Sequence, residues 1–71
     1  MEQFLKEMAE ILEVDIVQPH DLFNDFESWD SLAQLSVIAL ADSQYGVIIS
    51  KLELKELTKI ADIKELIDSK K

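Results

Sequence analysis

Ser31 is the side chain with the clearest chemical possibilities in this sequence. It stands in Asp30-Ser31-Leu32, directly ahead of an apolar helical run. A hydroxyl at that point lies where free amides and the positive end of a helix dipole face outward. That field favours an anion by about 0.3–1 kcal/mol at an exposed site. A phosphodiester on Ser31 would sit in it, by the same logic that lets helix N-termini hold phosphate. The plainer role for Ser31 is an N-cap, worth about 1 kcal/mol against alanine. Nucleophilic catalysis is a weaker fit. His20 is the only histidine, it lies eleven residues upstream, and no G-x-S-x-G elbow surrounds the serine. His20 reads as a turn cap or a solvent-facing side chain. A calcium loop starting at Asp25 fails, because Asp30 falls where glycine is required and Trp29 where a ligand is required. With no cysteine, thiolate zinc sites, disulfides and thiol nucleophiles are all excluded. Trp29 is open between packing on its own segment and touching a partner.

The elements that must position Ser31 are helical. Phe4, Leu5, Met8, Ile11 and Leu12 repeat on one face and predict a first helix over 2–13. Residues 14–29 lose that period and form a long loop, which Leu22, Phe23 and Phe26 should pin to the core. A second helix over 30–45 opens at Asp30, or at Ser31 through a capping box with Gln34; both caps are good. It is apolar nearly all round, with Leu32, Leu35, Ile38, Ala39 and Asp42 along one side and Val37, Leu40 and Ala41 widening the arc. Gly46 is a natural stop. Val47-Ile48-Ile49 and Val14 to Val17 read as extended connectors. Ser50 with Glu53 predicts a capping box opening a short helix over 51–57, and Ile60, Ile63, Leu66 and Ile67 mark a last helix over 60–68. Lys51, Lys55 and Lys59 line up as a solvated face. The fold class is therefore all-α, a single domain of three main helices and one short one.

Composition narrows the function. The chain has 71 residues and 8.1 kDa, 15 Asp and Glu against 7 basic residues, and a net charge of −8. Residues 1–30 hold nine acids and one lysine, whereas residues 31–71 balance six acids with six lysines. Nucleic acid and anionic membranes would repel the first segment, so a basic protein partner fits better. There is no arginine and thus no bidentate phosphate clamp. The longest uncharged run, Ser31 to Ala41, has eleven residues against the roughly 20 that span a bilayer. Met1-Glu2-Gln3 lacks the positive region of a secretory signal. A cytoplasmic monomer that binds or carries, and does not catalyse, is expected. A small acidic helical interaction module without covalent cofactor is the alternative to a carrier.

The whole chain resembles an acyl carrier protein. The resemblance rests on Asp30-Ser31-Leu32, the long loop ahead of it and the apolar helix closing at Tyr45-Gly46. The short helix after Ile49 and the final Ile60–Ile67 helix complete it, so that it covers residues 2 to 68. It implies a four-helix acyl-carrier-like bundle with 4′-phosphopantetheine on Ser31. A phosphopantetheinyl transferase, using Mg²⁺ and coenzyme A, would attach that arm, and Asp30 and Leu32 would belong to the motif it reads. Acyl or aminoacyl groups would then ride on the arm as thioesters between loading and transfer enzymes. The resemblance also implies partner docking through Leu32, with Asp25, Glu27, Trp29, Val37, Leu40 and Asp42, and an acyl cleft lined by Leu35, Ile38, Ala39, Ile49, Leu54 and Leu57. This sequence departs from the family in having Ser28 where glycine is common and Ser36 and Ser43 where acids usually face the partner. Those departures point away from central fatty-acid biosynthesis, toward a dedicated pathway with an amino acid or short acyl cargo.

Overall fold

The computed structural model describes residues 2–71. It is an all-helical bundle of α1 (Glu2–Ile11), α2 (Ser31–Tyr45), α3 (Lys51–Lys55) and α4 (Ile60–Lys70), with a 3₁₀ turn at Phe23–Asp25. The core gathers Phe4 and Met8 from α1 and Leu12 just after it, Val37 and Ala41 from α2, Leu54 from α3, and Ile60, Ile63 and Ile67 from α4. Phe23 fills its middle from the loop, and Val17 closes one edge.

Each helix end has an identifiable chemical cause. α1 stops at Ile11, two residues before the expected end, because Glu13 adopts a left-handed backbone with φ of 58°. The Val14 amide then donates to the Ala9 carbonyl at 3.0 Å and Glu13 to Glu10 at 3.2 Å, a Schellman closure with glutamate in the place glycine usually takes. Gly46 ends α2 with φ of 65°, a conformation glycine adopts without strain. Ser50 and Glu53 form the reciprocal capping box of α3, which ends at Lys55 and not at 57. α4 runs on to Lys70, two residues beyond the expected end. The Lys70 ammonium lies 2.9 Å from Glu53 and joins α4 to α3.

The segment between α1 and α2 is fastened at its middle. Phe23 donates to the Thr58 carbonyl at 3.2 Å, Ile60 to Asp21 at 3.0 Å and Ala61 to Pro19 at 2.9 Å. These bonds frame an isolated antiparallel bridge between Leu22 and Lys59. They also supply acceptors to the first amides of α4, which would otherwise lack partners. Phe23 is fully buried and Phe26 packs on the core, while the Leu22 side chain stays exposed. Ser28 ties the segment's far end to α1 by donating its hydroxyl to the Leu12 carbonyl.

Val47 and Ile49 are buried and Ile48 is exposed, the alternation of an extended connector. On α2 the buried residues are Ala33, Val37 and Ala41. Leu32 and Leu35 point outward, while Ile38, Leu40 and Tyr45 pack partly against the core.

Candidate functional site at the start of α2

Two adjacent residues divide the start of α2 between them. Asp30 is the N-cap: its backbone is extended, with φ of −129° and ψ of −171°, and its Oδ1 accepts from the Ala33 amide at 2.9 Å. Ser31 is therefore the first helical residue, and its box with Gln34 does not form. The Ser31 side chain is exposed, and among the described residues its hydroxyl makes no hydrogen bond. The Ser31 and Leu32 amides also lack partners there, unlike the first amides of α4. A free hydroxyl thus stands over two free N–H groups at the positive end of a helix of 15 residues.

Trp29 is half-buried and stacks edge-on against Phe23, ring centroids 4.6 Å apart at 64°. Its backbone N–H donates to the Phe26 carbonyl at 3.1 Å. This packing rigidifies the step into Asp30. His20 lies exposed on the loop, its Nε2 4.0 Å from Asp21 Oδ1.

The expected docking residues are not all on the surface. Asp25, Glu27 and Asp42 are exposed, and Leu32 is 72% exposed. Leu40 is half-buried against the core. Val37 is 0% exposed and sits inside the bundle, so it offers a partner nothing; that expectation is corrected. A helix that is apolar on every side does not reveal which side faces in. Here the small residues Ala33 and Ala41 flank Val37 and let α2 approach a core already filled by Phe4, Met8 and Phe23.

The six expected cleft residues also part company. Ile49 and Leu54 are fully buried, Ile38 and Leu57 are half-buried, and Leu35 and Ala39 face outward, with Leu35 51% exposed. Of the six, Leu54 alone borders either of the two open depressions beside the start of α2. One, of about 260 Å³, is lined by Asn24, Trp29, Gln34, Leu54 and Lys55. The other, of about 430 Å³, lies toward α1 and is bordered by Glu10, Glu13, Asp30 and Leu32, with Ser28 and Ser36. Asn24, Gln34 and Lys55, absent from the sequence-based set, come from three different elements. No periodicity or motif could have joined them.

No protein-family model matches this chain. No curated protein matches it either. Among solved structures it is similar to the holo acyl carrier protein from Geobacter metallireducens, determined by solution NMR, at 22% identity. That match covers 97% of this chain and 82% of the other, with a TM-score of 0.76. The four helices and the long clipped loop are thus laid out on the fold of an acyl carrier protein.

Proposed function

We propose that this protein is a carrier that holds acyl or aminoacyl groups as thioesters on a 4′-phosphopantetheine arm attached to Ser31. The observation that carries the reading is the division of labour at α2. Asp30 caps the helix, so Ser31 Oγ has no structural hydrogen bond to give up when it is modified. The residues present suit the group. The free Ser31 and Leu32 amides and the helix dipole favour a phosphodiester there, and the exposed hydroxyl leaves a modifying enzyme room to reach it. When bound, the group supplies a terminal thiol, which the cysteine-free chain otherwise lacks. The likeness to a holo acyl carrier protein supports the same reading.

Asp30 and Leu32 form the motif read by the phosphopantetheinyl transferase. Asp25, Glu27 and Asp42 meet basic groups on the loading and transfer enzymes, and Trp29 stiffens the approach to the serine. α2 carries Asp42 as its one charged residue, so docking along it depends more on Leu32 than on ion pairs. This favours service in a dedicated pathway over central fatty-acid synthesis. Efficient chain elongation on this carrier by fatty-acid synthase enzymes would refute that part.

The primary test is mass spectrometry after incubation with coenzyme A, Mg²⁺ and a promiscuous phosphopantetheinyl transferase. Wild type should gain one phosphopantetheine mass, while Ser31→Ala gains nothing and keeps its helical circular dichroism. An unmodified wild type would instead favour a helical interaction module without a covalent group.

A further inference from the structure

The depression of about 260 Å³ between the 3₁₀ turn, the first turn of α2 and α3 has a lining unlike the rest of this acidic chain. Acids make up 15 of the 71 residues, yet none of its five lining residues is one. Four carry N–H donors: the Asn24 and Gln34 amides, the Trp29 indole and the Lys55 ammonium. Leu54, fully buried, supplies the apolar floor.

These donors are largely uncommitted. Among the described residues the Gln34 amide and the Trp29 indole make no side-chain hydrogen bond, and Lys55 has no carboxylate within ion-pairing distance. Asn24 Nδ2 reaches the Leu57 carbonyl only at 3.5 Å, a long bond. An alkyl chain laid here would strip water from such donors and return no acceptor. An anionic, acceptor-rich group would satisfy them. The depression is small, about 260 Å³, and open to solvent, which suits a short group. The other depression beside Ser31 presents Glu10, Glu13 and Asp30 and would repel the same anion, so the two sides of the α2 start differ in sign.

On the carrier reading of Ser31, we propose that this depression receives the far end of the thioester-bound cargo and selects a short acyl group ending in a carboxylate. Lys55 is its counter-ion, and Asn24, Trp29 and Gln34 are its hydrogen-bond donors.

Succinyl and 4-methylpentanoyl groups share a heavy-atom skeleton and differ in the charge at the tip. Both can be installed on Ser31 from their coenzyme A thioesters by the transferase, with loading verified by mass. Trp29 is the only tryptophan, so its quenching by acrylamide reads the depression directly. The succinyl form should lose quenching relative to the unacylated holo form, and the 4-methylpentanoyl form should not. Lys55→Gln, at an exposed position, should restore holo-level quenching in the succinyl form with unchanged circular dichroism. Equal shielding by both groups, shielding by neither, or succinyl shielding that survives Lys55→Gln would overturn the cargo selection and leave the carrier reading standing. Absence of any mass gain would remove the carrier role of Ser31 and the cargo site with it.

Discussion

Replacing Asp30 and Ser31 one at a time by alanine should separate two roles that sit side by side. Asp30→Ala removes the side-chain acceptor of the Ala33 amide and should cost about 1 kcal/mol in urea unfolding. Ser31→Ala removes an exposed hydroxyl with no partner and should change stability by less than about 0.5 kcal/mol. If Ser31→Ala were the costlier of the two, the capping assignment would be wrong. The sequence left this choice open because aspartate and serine are both good caps, and one residue of register decides between them. The deciding quantity is a backbone dihedral at Asp30, which no pattern of residue types encodes. Val37 shows the opposite limit. Leu32 and Val37 are both aliphatic residues of one apolar helix, and only packing tells that the first is outside and the second inside.

At the scale of elements, legibility followed the contrast between polar and apolar faces. α1 and α4 alternate charged and aliphatic residues, so Phe4, Met8, Ile63 and Ile67 could be assigned to the core from spacing alone. α2 offers no such contrast, and its inward stripe of Ala33, Val37 and Ala41 is set by how closely its neighbours approach. α1 ends two residues before its apolar period suggests because Glu13, which carries no glycine signal, takes the left-handed conformation. Glu13→Gly should therefore stabilise the fold by about 0.5–1 kcal/mol in denaturant unfolding. A destabilised variant would mean that the Glu13 side chain holds something the closure needs. The junction of α3 and α4 should be acid-sensitive. Hydrogen bonds from the Lys59 and Thr58 amides to Asp62 hold its carboxyl below the ordinary range. The hydrogen bond from Lys70, followed by that from the Ser50 amide, does the same for Glu53. Carboxyls lowered in the folded state stabilise it above their unfolded pKa, and that contribution fades as pH falls through the lowered value. Acid titration followed by amide chemical shifts should move Thr58, Lys59 and Ser50 in that window. Asp62→Asn should abolish the transition at the first two.

For the whole molecule, the separation of charge sets how partners approach. Asp25, Glu27 and Asp30 lead into the serine and Glu10 and Glu13 border the depression beside it, while the exposed Lys51, Lys55 and Lys59 belong to the neutral half. A basic enzyme would be steered toward the α2 start, and salt would weaken that steering as the Debye length falls to about 8 Å near 0.15 M. The double variant Asp25→Asn with Glu27→Gln should lower transferase kcat/KM several-fold at low salt, and the difference should vanish at high salt. Leu32→Ala should impair modification equally at both, since an apolar contact is not screened. A salt-independent loss in the charge variant would argue for direct contacts in place of long-range attraction. Mid-segment fastening has one more consequence. Because Pro19, Asp21 and Phe23 are stitched to the head of α4, residues 14–29 behave as two short tethers instead of one long one. Closing each costs less chain entropy than closing the whole, and the tether that ends at Ser31 starts from a fixed post at Phe23. Extra residues spliced in near Asp15 would lengthen only the first tether and leave the serine where it is. The same insertion after Asn24 would lengthen the second tether, and Ser28 on Leu12 and Trp29 on Phe23 would then have to hold the approach to the serine.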